Sequence, residues 1–585
     1  MKDATDTDGQ EEPTRTDGGE AVSDADIYAP DEEGSEYFDS VFRPTNYDGL
    51  EDAPKTGDYP DQEGSYGMAQ GGGYKMFDLP KVPKIRHIVG PSAIMLGAAL
   101  GSGETLFWPT LIASNGWALW WAFWVGVATQ FFINTEIQRW SMATGESIFR
   151  AYERIHLVWP WFFLLAGFFH VGWPGWVSGA GEVGAAWVGL DRSLWWAIGI
   201  VLFIFIYVSY QIHPIIYLVV EKAQTVLMGV AISFAIVLIF IAGAVGQLPS
   251  MAVGAFQFGT LPADMDIAVF LGGLAYAGAG GYINLSQSLW AREKGYGMSS
   301  YQGRVKNPLI GDEPETIHEN GITFKADELN MRRWRSWWKV VQAEHFLTFV
   351  LGLLIVTMST ASVARQFAAG TDQGAIAMWL DVIAPQLGGV VAFFLYGVLF
   401  IALFSTQYAI LEAFVRNSVD IVYEGFGRAR GWSLDRTFWG LLTIFTLWGI
   451  VIIGARFEQP WVLLVIGAAI AGVMMWPYNA LTIILNVTKL PEHVQPGWAR
   501  IVAMWWATGF FGYFSVLLIA DQLVSRFGLE TFATSPAVAG SSTGAYVLWA
   551  FAVLVQLYTI YRTTTAKMAT SGTVDDADVA QGFLH

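Results

Sequence analysis

Apolar runs of more than about 18 residues recur along this chain between residues 88 and 562. Lipid offers no hydrogen bonds, so such runs can only be helices that satisfy their own backbone. Twelve spans are expected, at about 88–113, 117–137, 160–189, 194–212, 216–246, 267–290, 344–364, 389–412, 438–455, 461–486, 499–520 and 545–562. The composition agrees. Hydrophobic residues make up 53% and charged ones 14%, and 27 Trp with 39 Phe suit the aromatic belts at a membrane surface. The chain is thus read as an all-α membrane protein. Its first 30 residues are polar and acidic, with no apolar signal-peptide core, so insertion is expected to begin at the first span. With no cysteine, disulfides, iron–sulfur clusters and thiolate metal sites are excluded.

The net charge of −18 is unevenly divided. Residues 1–80 carry 21 acidic and 5 basic side chains, and the other 505 residues carry 30 and 28. Residues 1–80 read as an acidic disordered tail, too polar to bury a core. Residues 81–490 read as a ten-helix core with a polar loop at 291–343, residues 491–562 as two additional transmembrane helices, and residues 563–585 as a C-terminal tail. Of the 28 Lys and Arg after residue 80, all but Arg192, Arg365, Arg456 and Arg526 fall on one side of the alternating spans. The positive-inside rule places that side and both termini in the cytoplasm. The Trp-rich run at 332–339 reads as an interfacial anchor leading into the seventh span.

Two spans are interrupted near their middles. In the first, Gly101-Ser102-Gly103 is a poor helix centre, and Glu104 follows at about mid-membrane depth. In the sixth, Gly278, Gly280 and Gly281 crowd together, each weakening a helix by about 1 kcal/mol relative to Ala. Irregular backbone and a carboxylate at that depth both need protein or water around them. Spans one and six are corresponding members of two five-helix halves. That predicts an inverted 5+5 repeat with discontinuous helices one and six, and a substrate site where the breaks meet. Freed carbonyls and a carboxylate suit a cation, and freed amides suit an anion. Glu104, Gly101, the carbonyls from Ala277 to Gly280, and Asn284 are the candidates. Simpler readings stand beside this one. Glycine also permits close helix packing, and Glu104 and Asn284 also suit capping of the second half of each broken span.

Other polar groups fall within or at the ends of spans. Glu182 in span three reads as a proton carrier facing the bundle, or as a hydrogen-bonded structural carboxyl. His170 lies twelve residues earlier, on the same helical face unless Pro174 intervenes; otherwise it is a packed histidine. Glu221 and Lys222 begin span five, and Glu412 and Arg416 end span eight at an i, i+4 spacing. These are gating candidates, or plain ion pairs near an interface. No Walker A, GxSxG, HExxH or dinucleotide fingerprint is present. No enzymatic activity, bound cofactor or nucleic-acid partner is expected.

These residues resemble the Nramp-type divalent-metal transporters and their prokaryotic relatives, within the group sharing the leucine-transporter fold. The family's first helix opens with Gly-Pro-small and carries Asp-Pro-Gly-Asn at its break. Here Gly90-Pro91-Ser92 is followed, at the same spacing, by Gly101-Ser102-Gly103-Glu104. The family's third helix carries Asp-x-x-Glu before Val, of which Glu182-Val183 remains. The run from Leu218 to Met228 is similar to the family's Leu-Glu-Lys start of helix five. Span eight, ending in Glu424-Gly425-Phe426, is similar to its Ser/Thr-rich eighth helix. The likeness covers about 88–490 outside the large loop.

The departures lie at the ligands. The family's metal-binding Asp and Asn stand here as Gly101 and Glu104, its Met-Pro-His as Gly280-Gly281-Tyr282, and a second His as Gln287. Tyr282 and Gln287 thereby join the candidates. Loss of the soft Met and His ligands implies a hard cation such as Mg²⁺ or Mn²⁺. The resemblance implies a secondary transporter in the cell membrane, taking up a divalent cation of the manganese, magnesium or iron class together with protons. Glu182 and His170 would relay the protons. An amino-acid or organic-solute symporter of the same fold, and a non-transporting membrane sensor, are the alternatives.

Overall fold

A computed structural model describes residues 22–29, 74–262, 265–311, 315, 317–318, 320–456, 460–536 and 538–570. Helix occupies every one of the twelve expected stretches. Among the described residues, eight helices are long and apolar enough to cross a membrane: 192–209, 216–241, 328–367, 389–430, 434–455, 460–488, 498–527 and 545–570. They correspond to the fourth, fifth and seventh to twelfth spans. The first, third and sixth spans are each split. Span one is Pro91–Leu100 and Trp108–Asn115, joined by a widened turn at Gly103–Phe107. Span three is Val158–Val171 and Gly175–Trp187, parted at Pro174. Span six is Ile267–Ala275 and Gly281–Lys294. Span two, Trp120–Thr144, is unbroken but carries Asn134, Glu136, Gln138 and Arg139 in its last turns.

Local chemistry sets the boundaries. Span two ends where Gly145 takes a left-handed φ of 71°, and the second half of span six ends at Gly295 with φ 91°. Asp266 accepts the Ala268 and Val269 amides and so caps span six. Spans one and six lie inside the bundle, while spans four and twelve are its least buried members.

The end of the bundle that carries residues 74–90 is built from much of the polar sequence. The segment 291–343, expected as a loop, is folded onto it. Strand β1 (Lys75–Met76) pairs in parallel with strand β2 (Ile322–Thr323). The helix Glu328–His345, capped by Asp327, continues through a wide turn at Phe346–Val350 into Leu351–Phe367 of span seven. The interfacial-anchor reading of 332–339 is corrected here. Trp334, Trp337 and Trp338 are buried in protein. The Trp337 indole donates to Pro80 O at 2.9 Å, and the Trp338 ring lies 4.0 Å from the Arg139 guanidinium and 4.8 Å from that of Arg500. Both arginines bind the buried Glu136 carboxylate.

The disordered-tail reading is corrected in two places. Within residues 1–80, segments 22–29 and 74–80 are ordered, and Val22, Ile27, Tyr74 and Leu79 are buried. Arg333 donates to Asp26 O at 2.6 and 2.8 Å and to Leu79 O at 2.5 Å, fastening both segments to the same helix. The rest of the tail lies outside the described residues, as does 571–585. Span twelve runs on to Thr570, beyond the 562 expected.

Candidate functional site

The break in span one is a loosened turn more than a gap. Ser102 leaves helical geometry, with φ −129° and ψ −72°. Its carbonyl accepts both the Leu106 and Phe107 amides at 2.9 Å, and the Thr105 hydroxyl donates to Leu100 O at 2.9 Å. Pro109 brings no amide to the restarted helix. Neighbouring spans take up what remains. Gly101 N donates to Thr406 Oγ1 at 2.8 Å, that hydroxyl donates to Gly97 O at 2.8 Å, and Thr360 Oγ1 donates to Glu104 O at 2.6 Å. A Cβ on Gly101 would stand 2.6 Å from Ala402 O, so this residue faces span eight.

Span six is broken more completely. Gly278, Gly280 and Gly281 have φ of 139°, 67° and 50°, a backbone that side-chain-bearing residues rarely adopt. The two breaks touch: a Cβ on Gly103 would lie 1.5 Å from Tyr276 O. Glycine alone permits that approach.

Glu104 sits at this contact, fully buried. No side chain hydrogen-bonds to either carboxyl oxygen; the backbone groups that face it are the residue's own amide and the Gly278 amide of span six. A carboxylate so placed costs several kcal/mol while ionised and alone. A bound cation or a proton removes that cost. Gln287, on the second half of span six, is also fully buried, and neither end of its amide has a partner. Both residues offer hard oxygen donors. Among the described residues no group of three or more His, Cys, Asp or Glu side chains is placed to hold a metal, so any cation here would draw on backbone carbonyls and amide oxygens as well.

Aromatic rings cover the breaks on the side away from the tail. Phe107 lies 5.7 Å from Tyr276 and 4.9 Å from Trp461, and Tyr276 lies 6.3 Å from Trp176. Trp379, in the short apolar helical segment 375–386 between spans seven and eight, donates its indole N–H to Thr105 O at 2.7 Å. Sequence reasoning passed over that segment as a connection.

The remaining candidates fall into three groups. Ala277, Gly280 and Asn284 turn toward span two. A Cβ on Gly126 would come 2.8 Å from the Ala277 Cβ. Gly280 N and Asn284 Nδ2 both donate to Gln130 Oε1, at 3.3 and 3.2 Å, and Asn284 Nδ2 also reaches Tyr478 OH at 3.0 Å. Asn284 therefore does not cap its helix; Gln130 fills that role from outside. Tyr282 points elsewhere, its ring packed on Gly167, Phe149 and Phe414.

The two members of the proton relay expected in span three lie in different surroundings, and only His170 faces the bundle. Glu182 pairs with Arg192 at 2.6 Å near the end of its helix, with the side chain 14% exposed, and Arg192 also holds Asp381. Pro174 separates it from His170, which turns to span six. There Tyr282 N donates to His170 Nδ1 at 3.2 Å, and Nε2 lies 3.0 Å from Tyr276 OH. Accepting an amide at Nδ1 fixes the neutral tautomer with its proton on Nε2.

The gating candidates lie toward the tail side. Glu221 is bound by Lys294 at 2.6 Å, which also reaches Val89 O at 3.3 Å, linking spans one, five and six. Lys222 is exposed. Glu412 and Arg416 form the ion pair their spacing allows, buried in protein: Arg416 binds Glu412 and Glu293 together while Trp290 donates to Glu412 at 2.9 Å.

Sequence reasoning missed Gln130. The signal was a lone amide in the apolar stretch from Trp120 to Ile133, and such residues in membrane helices mark functional or cross-helix contacts.

A broken first helix crossing a broken sixth, at a buried acid, defines a recognisable helical membrane fold. The chain shares it with the manganese transporter of Eremococcus coleocola. A mutant of that protein superposes with a TM-score of 0.56 at 11% identity, over 83% of this chain and 95% of the other. A complex of it with an aromatic bis-isothiourea substituted compound gives 0.53 at 12% identity, over 82% and 94%. The fold implied by the first-helix and eighth-helix motifs is thus the fold observed. No family model matches the sequence, nor does any curated protein.

Proposed function

We propose that this protein is a secondary transporter that carries a small divalent cation through the contact between its two broken helices. The observation that carries this reading is the Glu104 carboxyl, buried without a side-chain partner where Gly103 meets Tyr276. Glu104, the Gln287 amide oxygen and carbonyls of the breaks supply hard ligands, which favour Mg²⁺ or Mn²⁺ over softer metals. Likeness of fold to a manganese transporter supports the same class of cargo.

Proton coupling follows from the same residue. With Glu182 held by Arg192, Glu104 is the group left to exchange a proton for the cation, so that the buried site is never an isolated charge. The excess of Lys and Arg at the tail-side end orients that end toward the cytoplasm. The occluded geometry, with Trp379 and Phe107 on one side and the Glu221–Lys294 pair on the other, is one state of an alternating-access cycle.

Reconstitution into proteoliposomes tests this. Mn²⁺ or Mg²⁺ influx driven by an outward proton gradient, as exchange at one carboxyl requires, and lowered about a hundredfold by Glu104→Gln, is the expected result. Gradient-driven uptake of amino acids with no metal flux would replace the cation reading with the symporter one.

A further inference from the structure

The break in span six strips hydrogen-bond partners from backbone on both of its sides, and two side chains from other spans replace them. Gln130 of span two donates to Ala275 O at 2.7 Å and Leu274 O at 3.3 Å on the near side, and accepts Gly280 N at 3.3 Å on the far side. His170 of span three does the same from another direction, taking Tyr282 N beyond the break and contacting Tyr276 OH before it. The glycines make room for both. A Cβ on Gly278 would stand 2.3 Å from Gln130 Oε1, and one on Gly281 would stand 2.8 Å from His170 Cε1. Both side chains are fully buried.

We infer that Gln130 and His170 form a clasp that sets the shape of the span-six break and keeps it closed over Glu104. Gln130 binds backbone on both sides of the break, and His170 binds backbone beyond it and the Tyr276 hydroxyl before it, so separating the two half-helices must release both. Gln130 also decides which carbonyls are free. Those of Leu274 and Ala275 answer its amide, while Tyr276 O stays free of it and lies against Gly103, next to Glu104. Gly278, whose amide faces the Glu104 carboxyl, is held directly against Gln130. The two residues are therefore positioning residues, acting on the site through the backbone they hold. For its effect on cargo the inference rests on the cation-transport reading; for the closure of the break it does not.

The chain has no cysteine, so a single introduced thiol reports on one place. Ala279→Cys puts the reporter in the break, where Ala279 is buried, and Ala235→Cys puts a control in the middle of span five, also buried. Labelling by a membrane-impermeant thiol reagent is measured without any cargo. Gln130→Met keeps the volume and removes every hydrogen bond that Gln130 gives the clasp, leaving those of His170. It is expected to speed labelling at Ala279→Cys by about tenfold or more, since each buried hydrogen bond lost shifts an opening equilibrium by roughly fivefold, and to leave Ala235→Cys unchanged. Gln130→Glu, which keeps the acceptor, should fall between. Should Gln130→Met fail to accumulate, His170→Leu against His170→Asn gives the same comparison, because Asn restores an acceptor for Tyr282 N. Equal labelling at Ala279→Cys with and without the clasp overturns the inference, and so does faster labelling at both reporters, which would mean general loosening. Faster labelling at Ala279→Cys alone upholds the clasp even if no metal is ever transported, in which case only the cargo reading fails.

Discussion

Glu104 lies where water cannot reach it and no side-chain donor answers it. Replacing it by Gln keeps its volume and removes the charge. Glu104→Gln is expected to melt at or above the temperature of the parent, because an uncompensated buried carboxyl is removed, while cation flux falls by roughly a hundredfold, the worth of a ~3 kcal/mol buried charge contact. A thermal melt alongside the flux assay checks both halves; a large fall in melting temperature would make the residue structural. Single residues were legible in proportion to how local their reasons are. Glu104 stands out because a carboxylate in an apolar run has few innocent explanations. Glu182 looks the same in sequence, yet its partner Arg192 sits just past the end of its helix and draws it to the exposed rim. Asn284 resembled a cap because spacing along one helix was visible and Gln130, from another helix, was not.

At the scale of elements, the two breaks could be read because positive φ and close backbone approach leave a glycine signature. Gly103→Ala tests their contact. Its Cβ would overlap Tyr276 O, at 1.5 Å, and that neighbour is backbone. Forcing the two spans apart is expected to cost about 1–3 kcal/mol in a melt and to abolish transport. Normal flux in Gly103→Ala would show that the breaks need not touch. The Trp-rich helix Glu328–His345 was harder. Its pattern of Arg and Trp is that of a helix lying on a membrane, and only the partners from elsewhere, Pro80, Arg139 and Arg500, show that protein covers its apolar face. The span-three interruption was legible as Pro174, but the direction in which His170 turns was not.

Over the whole molecule, the tail-side end behaves as a small polar domain fastened under the bundle. Composition averaged over 80 residues hid the short apolar pieces, Val22, Ile27 and Leu79, that dock there. His493 lies in this layer, between spans ten and eleven, with its ring 5.5 Å from Phe324. Burial holds its imidazole down to about 4, against an unfolded value near 6.5. Between those values the unfolded chain binds the extra proton. Stability is therefore full above about pH 6.5 and falls as pH drops toward 4, by on the order of 3 kcal/mol. His318 adds to the same trend, its imidazole depressed by burial and by Lys75 and Arg428. Melting temperature measured from pH 7 to pH 4.5 should fall in the parent and fall less in His493→Gln; an identical slope in both would remove His493 as the cause.

The account stands on a cation replacing a proton at Glu104, and direct titration of the purified protein tests that most closely. Calorimetric titration with Mn²⁺, in two buffers of different ionisation heat, should show saturable binding with a proton released, and Glu104→Gln should show neither. Binding of Mn²⁺ to Glu104→Gln with the parent's affinity and proton release would contradict it.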